Sequence, residues 1–226
     1  MKPRDISDGG ATVRKCIRVL GVDPAAVGPT GYGVIENDGR ACRVVHYGAL
    51  RITAKRQQES MGAGLQEVHA QMCRLIEEFS PRVLAVEGIF SALNVRTALR
   101  LAEVRGVVLL AAAQHGVTVH SYSPREVKAS VAGYGNADKR QMQMMVRALL
   151  QMAETPEPSD AADALAVALC HMQREQMRVR YALPTGNNLS KPSSRRHKPS
   201  ATQSSATIDA RSIATPMAPP RIVVHR

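Results

Sequence analysis

The sequence predicts an α/β domain built on a mixed five-stranded sheet, in which a three-stranded antiparallel meander continues into two parallel strands and helices flank the sheet. Two observations support this fold class. Three short apolar runs follow one another near the N-terminus, with connections too short to contain a helix. Two further apolar runs then alternate with helical patterns, an order that is typical of parallel strands joined by crossover helices.

The meander is predicted from three segments whose lengths and apolar content are typical of strands. Short connections between consecutive strands favour antiparallel pairing. The segments are RVLGVD at residues 18–23, GYGVIEN at 31–37 and ACRVVHYGALRI at 41–52.

Apolar residues recur at spacings of three and four from Met61 to Phe79, and this period predicts an amphipathic helix. Ser80 and Pro81 end the helix, because proline cannot continue it. Strand and helix patterns then alternate: a strand at 82–88, a long helix at 94–114 and a strand at 117–122.

Three helices complete the predicted domain. A short helix follows Pro124 and precedes a Gly-Tyr-Gly loop at residues 133–135. The next helix is opened by Asp138, which has Gln141 three positions later in the pattern of a capping box. The last helix begins at Asp160.

The positive charge of the 226-residue chain is concentrated at its ends. Of the formal net charge of +11, residues 1–18 contribute +3 and residues 181–226 contribute +6, which leaves +2 for the part between them. Basic tails suit a polyanion such as nucleic acid, although solubility alone is an alternative explanation. We expect a disordered extension at 1–17, a folded domain at 18–180 and a disordered basic tail, rich in proline and serine, at 181–226.

No stretch approaches the roughly 18 consecutive apolar residues of a membrane span. The N-terminal segment MKPRDISDGG lacks the apolar region of a secretory signal. We therefore expect a cytoplasmic protein that does not engage a membrane.

Acidic residues stand at the ends of two predicted strands. Asp23 ends the first strand and Glu87 ends the fourth, where each could equally start a turn or face solvent. Asp160 and Asp163 in PSDAADALAVALCH share one helix face, although they also fit a capping box. Because ligand sites in such sheets lie beyond the carboxyl ends of the parallel strands, we expect the acids to converge there.

A cluster of acids implies a cation. Two carboxylates about 4 Å apart repel by roughly 4 kcal/mol at an effective dielectric near 20, so several together are unfavourable unless protons or cations offset the charge. All-oxygen ligands select a hard ion such as Mg²⁺ or Mn²⁺. Two such ions can activate a water and stabilise the leaving oxygen in a displacement at phosphorus, so the acids predict phosphodiester hydrolysis.

Five segments, in this order along the chain, carry a resemblance to a known family: VLGVDP…TGYGVIE, VLAVEGIF, TALRLAEVRGVVLLAA, VKASVAGYGNADKRQMQMMVRALL and SDAADALAVALCH. Over residues 18–175 the chain thereby resembles the RuvC family of Holliday-junction resolvases, within the ribonuclease H-like superfold. The resemblance implies a metal-dependent endonuclease that makes paired symmetric nicks in four-way DNA junctions during homologous recombination and DNA repair. The chain departs from the family where Ala25 and Ala26 replace a usual glycine.

The resemblance also implies ligands and partners. The family's metal-binding carboxylates fall on Asp23, Glu87, Asp160 and Asp163, which would hold Mg²⁺, with Mn²⁺ as a substitute and two ions in each site. The implied partners are four-way junction DNA, a second copy of the chain in a homodimer, and a RuvA–RuvB branch-migration complex.

Three further residues match positions that contact DNA in the family. Lys128 and Lys139 fall on lysines that hold the junction's phosphates, and Phe90 falls on an aromatic residue presented to bases near the exchange point. Without the resemblance, Lys139 is interpreted as a solvated surface residue. Phe90 is then interpreted as core packing beside Ile89.

Paired nicks in a two-fold symmetric substrate call for a two-fold symmetric enzyme, and the long helix at 94–114 is the candidate interface. Two alternatives remain open. One is a nuclease of the same superfold that acts on structured RNA. The other is a non-catalytic junction-binding protein, to which the altered loop after Pro24 points.

Overall fold

The computed structural model of the protein describes residues 16–52, 61–89 and 94–181. Its strands are β1 (Ile17–Asp23), β2 (Thr30–Asn37), β3 (Cys42–Leu50), β4 (Val83–Glu87) and β5 (Thr118–Tyr122). Its helices are α1 (Met61–Phe79), α2 (Val95–Gln114), α3 (Pro124–Ala132), α4 (Lys139–Leu149) and α5 (Ser159–Tyr181). The extensions predicted at 1–17 and 181–226 lie almost entirely outside the described residues, so their disorder stays a prediction.

The strands form one sheet in the order β3-β2-β1-β4-β5. β2 pairs antiparallel with both β1 and β3, whereas β4 pairs parallel with both β1 and β5. Helix α1 precedes β4 and helix α2 precedes β5, as crossover connections require. The predicted mixed sheet is confirmed. Within the described ranges, no helix combines the length and apolar content needed to traverse a bilayer.

Alternating side chains on the strands build a core on each face of the sheet. In β1, Val19 belongs to the core that contains Leu165 of α5, and Leu20 belongs to the opposite core, which contains Met72 of α1. All four side chains are fully buried. This period of two places every second residue of β1 on the face that α5 covers.

Helix α5 lies close to the sheet because glycines line the strands beneath it. A side chain at Gly21 would collide with the carbonyl oxygen of Ala164, and one at Gly31 would collide with the backbone of Asp160. At Gly33, a side chain would instead meet the side chain of Leu165 on the helix. Contact between backbones therefore sets the depth at which the first turn of α5 sits.

Local capping signals set the start of α4 but not that of α5. As predicted, Asp138 accepts a hydrogen bond from the backbone N–H of Gln141 at 2.8 Å, and the Gln141 side chain accepts one from the Asp138 N–H at 3.0 Å. The expectation that Asp160 begins and caps the last helix is wrong, because Ser159 is already helical and Asp160 lies in the first turn. An acid there still offsets the positive end of the helix dipole.

Candidate active site

Asp23 and Glu87 lie side by side where two parallel strands end. Val22 of β1 is in register with Val86 of β4, and the next residue on each strand is the acid. Because side chains alternate along a strand, Asp23 points to the same face as Gly21, which is the face that α5 covers. The two strands therefore deliver both carboxylates to the N-terminal end of α5.

A second pair of acids stands near the start of α5, with Asp160 in its first turn. Asp160 and Asp163 are half-buried there, about one helical turn apart on the same side of the helix. Gly31 is paired with Asp23 across β1 and β2, and it also contacts the backbone carbonyl of Asp160. This glycine therefore joins the two halves of the cluster and sets the spacing between them.

The carboxylates act strongly on one another. Burial, followed by the charges of Glu87 and Asp163, raises the pKa of Asp23 to about 8. Burial also raises the pKa of Glu87, although a hydrogen bond with Asp23 works in the opposite direction. These directions favour the protonated form of Asp23, which donates this hydrogen bond to Glu87. A proton on Asp23 relieves the repulsion between the carboxylates of Asp23 and Glu87.

Two lysines bring positive charge to the cluster. Nζ of Lys139, the first residue of α4, lies 3.1 Å from Oδ2 of Asp163. Burial raises the pKa of Asp163, while Lys139 and then Lys128 act to lower it. Lys128, on α3, also acts to lower the pKa of Glu87 through its charge. Both lysines that matched the family pattern thus lie within electrostatic reach of the acids.

The chemistry of the donors fits a hard divalent cation. All four side chains offer carboxylate oxygens, the ligands that Mg²⁺ and Mn²⁺ prefer. Within the described ranges, no three Asp, Glu, His or Cys side chains have the geometry to hold a metal ion as they stand. Instead, Asp23 is hydrogen-bonded to Glu87, and Asp163 is paired with Lys139. These two interactions occupy oxygens that would otherwise be available to a cation.

Some site features lie beyond the sequence prediction. Phe90 falls outside the described residues, so its role near bases stays a prediction. The glycines beneath α5 were missed, although the alternation of Gly31 and Gly33 in TGYG places both on one face of β2. Glycine at alternate positions of a strand is a signal that another backbone approaches closely.

The far half of α5 is anchored by a buried polar pair that the sequence analysis also missed. The hydroxyl of Tyr122 on β5 and Nδ1 of His171 share a hydrogen bond of 2.7 Å. Burial, followed by the charge of nearby His120, lowers the pKa of His171 to about 4. The rings of the two histidines lie 4.8 Å apart. The pair fixes α5 against the edge of the sheet.

Comparisons with known proteins agree on one kind of enzyme. The family model described as crossover junction endodeoxyribonuclease RuvC matches residues 19–171. The protein of that name from Chloroflexus aggregans is 48% identical over 155 residues, which span 69% of this chain and 92% of the relative. The one from Caldicellulosiruptor saccharolyticus is 42% identical over 157 residues, with the same two coverages.

A solved structure extends the similarity to three dimensions. T. thermophilus RuvC in complex with Holliday junction substrate matches with a TM-score of 0.66 and 34% sequence identity. The match covers 72% of this chain and 96% of that chain. The span of the family model includes both strand-end acids, both acids of α5 and both lysines.

Proposed function

Because the chain belongs to the RuvC family of crossover junction endodeoxyribonucleases, we propose that its four clustered carboxylates form the centre at which it hydrolyses phosphodiester bonds. As a member of this family, the chain is a Holliday junction resolvase with a ribonuclease H-like fold. One observation carries the proposed site: at the ends of two parallel strands, burial and then the charges of Glu87 and Asp163 raise the pKa of Asp23, and burial together with the charge of Asp163 raises that of Glu87. Acids perturbed in this way are typical of active sites.

The family depends on divalent metal ions. We infer that the site takes two Mg²⁺ ions, for which Mn²⁺ can substitute, and that the ligands are Asp23, Glu87, Asp160 and Asp163. When bound, such ions supply Lewis-acid stabilisation of the phosphate oxygens and a more acidic attacking water. The chain prepares the site by holding its carboxylates partly buried, and Asp23 must give up its proton before it can serve as a ligand.

Lys139 and Lys128 are the groups that we infer to bind the phosphates of the junction. Lys139 stands at the N-terminus of α4, where free backbone N–H groups and the helix dipole favour an anion. Its side chain is 57% exposed, so it is accessible to DNA while it contacts Asp163. Phe90 would add a contact to bases near the exchange point.

We further propose a homodimer, since paired nicks in a two-fold symmetric junction require two symmetric sites. Helix α2 presents a stripe of exposed apolar side chains, Val95, Leu99 and Leu110, whose spacing places them on one face of the helix. This stripe is the proposed interface between copies. A RuvA–RuvB complex as partner, and a cytoplasmic location alongside the DNA substrate, complete the proposal.

A nicking assay tests the proposed function directly. Wild-type protein and Asp163→Asn are incubated in Mg²⁺ with a synthetic four-way DNA junction, a linear duplex of matched sequence and a matched RNA junction. We expect the wild type to nick two opposed strands of the DNA junction and to leave the duplex and the RNA intact, while the variant nicks nothing. Cleavage of RNA or duplex as fast as the DNA junction would contradict the substrate. Wild-type activity in the variant would contradict the site.

A further inference from the structure

Tyr134 is an exposed aromatic residue in the loop that connects the helices of Lys128 and Lys139. It occupies the middle of the Gly-Tyr-Gly loop between α3 and α4, and it is 47% exposed. Among the described residues, the other exposed aromatic side chain is Tyr181 at the end of α5. The left-handed backbone at Gly133, with φ of +85°, explains the turn of the loop. The turn does not explain why the tyrosine ring next to this glycine is exposed to solvent.

The ring is held in place rather than left free. The hydroxyl of Tyr134 donates a hydrogen bond to Oε1 of Gln141 at 2.5 Å. The same oxygen accepts the backbone N–H of Asp138 in the capping box of α4. The side chain is thereby fixed to the first turn of α4 with its ring still exposed. An aromatic group that is already ordered loses little conformational entropy when it binds a partner.

This first turn also reaches the acids. Lys139 precedes Gln141 by two residues and contacts Asp163 at 3.1 Å. The loop of Tyr134 joins the helix that carries Lys128 to the helix that begins at Lys139. A DNA strand whose phosphates lie on both lysines would run beside the two helices that this loop connects.

We propose that Tyr134 stacks on a nucleobase of the DNA strand held at the carboxylate cluster. This inference rests on the proposed function, because it takes the junction as the ligand. At the branch point, bases lack a continuous stack on both sides and are accessible to an aromatic ring. Since every base has a π-face, such a contact adds affinity with little dependence on sequence. Its removal is expected to weaken junction binding on the order of tenfold.

Two substitutions separate stacking from the hydrogen bond. Binding of a labelled four-way junction is measured in a chelator, so that no cleavage occurs, for the wild type, Tyr134→Ala and Tyr134→Phe. We expect Tyr134→Ala to bind on the order of tenfold more weakly, with an unchanged slope of log Kd against log salt because no charge is lost. Tyr134→Phe keeps the ring and should bind like the wild type. Equal losses in both variants would assign the effect to the bond with Gln141 and overturn the proposal.

A spectroscopic test does not depend on the fold of the alanine variant. The chain has no tryptophan, so Tyr134→Trp places a single tryptophan, which can be excited selectively over the tyrosines, at the proposed contact. We expect the four-way junction to quench this fluorescence, and to leave that of the matched control Tyr181→Trp much less affected. Absence of quenching at position 134 would overturn the proposal.

The nicking assay, run in parallel, distinguishes failure of this inference from failure of the proposed function. If the wild type does not nick the junction, the proposed function fails whatever the variants show. If the wild type nicks the junction and Tyr134→Ala binds it as tightly as the wild type does, only the stacking contact is overturned.

Discussion

Nζ of Lys139 lies 3.1 Å from Oδ2 of Asp163, so the first residue of α4 is joined to the N-terminal part of α5. The lysine holds a positive charge beside a proposed metal ligand, on a side chain that is 57% exposed. A cation and a lysine compete for the same oxygen. We expect Lys139 to leave Asp163 when divalent ions bind and to contact a DNA phosphate instead.

Replacement of this lysine should therefore change two affinities in opposite directions. In Lys139→Ala, Mn²⁺ is expected to bind about two- to fivefold more tightly in calorimetric titration, because a partly exposed ion pair contributes less than about 1 kcal/mol. Junction binding should weaken, and the slope of log Kd against log salt should fall by about one unit. Weaker binding of Mn²⁺ by the variant would contradict competition for Asp163.

Neutral substitutions at the carboxylates should separate cleavage from binding. Asp23→Asn and Asp163→Asn remove a proposed ligand charge from each half of the cluster while keeping the size of the side chain. We expect both to abolish nicking in Mg²⁺ and to retain junction binding, since DNA affinity comes mainly from contacts to phosphates. Gel-shift and nicking assays on the same junction check this. Cleavage at the wild-type rate by either variant would show that the ligand assignment is wrong.

A methyl group added at Gly31 should displace the acids of α5 by pushing the helix away from the sheet. Its Cβ would collide with the carbonyl of Asp160, so α5 must move away from the sheet. We expect Gly31→Ala to lose about 2 kcal/mol in urea unfolding, as overpacked cores do, and to nick far more slowly than the wild type. Gly106→Ala on α2, where the added methyl group meets no atom within 4 Å, is the control for stability. Equal stabilities of the two variants would contradict the close contact at Gly31.

The buried His171 should make stability depend on pH. Because the fold lowers its pKa from 6.5 to about 4, the stabilisation is complete above about 6.5 and is lost as the pH falls towards 4. We expect His171 to account for about 2 kcal/mol of the stability that is lost between about pH 7 and about pH 5. His171→Asn keeps an acceptor for Tyr122 without titrating. Urea unfolding of both proteins at each pH measures the difference, and parallel losses would contradict the role of His171.

The basic C-terminal segment should add affinity without taking part in the chemistry. Residues 181–226 carry seven lysines and arginines against one aspartate. Deletion of residues 183–226 is expected to weaken junction binding at moderate salt and to leave nicking intact at saturating protein. Binding isotherms at several salt concentrations check the first part. Complete loss of nicking would place the segment within the active site.

Local signals predicted most element boundaries, and the exceptions have tertiary causes. α4 starts where Asp138 and Gln141 predict it. β3 was expected to reach residue 52 but ends at Leu50, because Leu50 pairs with Thr30 and β2 offers no partner beyond it. An apolar run shows where a strand is possible, whereas its partner decides where the strand stops.

The acids could be proposed from sequence because each stands at the end of an element. The distances between the acids could not be predicted, since they depend on how closely α5 approaches the sheet. The start of α5 shows the same limit: a capping pattern does not distinguish a helix that begins at Ser159 from one that begins at Asp160. The pair of Tyr122 and His171 joins residues 49 positions apart, and no local pattern predicts it.

At Gly21 and Gly31 the strands meet mainly the backbone of α5, so no change of side chain can readily readjust the fit there. Most hydrophobic interiors accommodate sequence drift by repacking, and small shifts of their helices follow. In this domain the backbone contacts beneath α5 resist such a shift of the helix, which would alter the spacing of the carboxylates. Substitutions in the loops and outer helices can therefore be accommodated while the dimensions of the proposed catalytic centre stay constant.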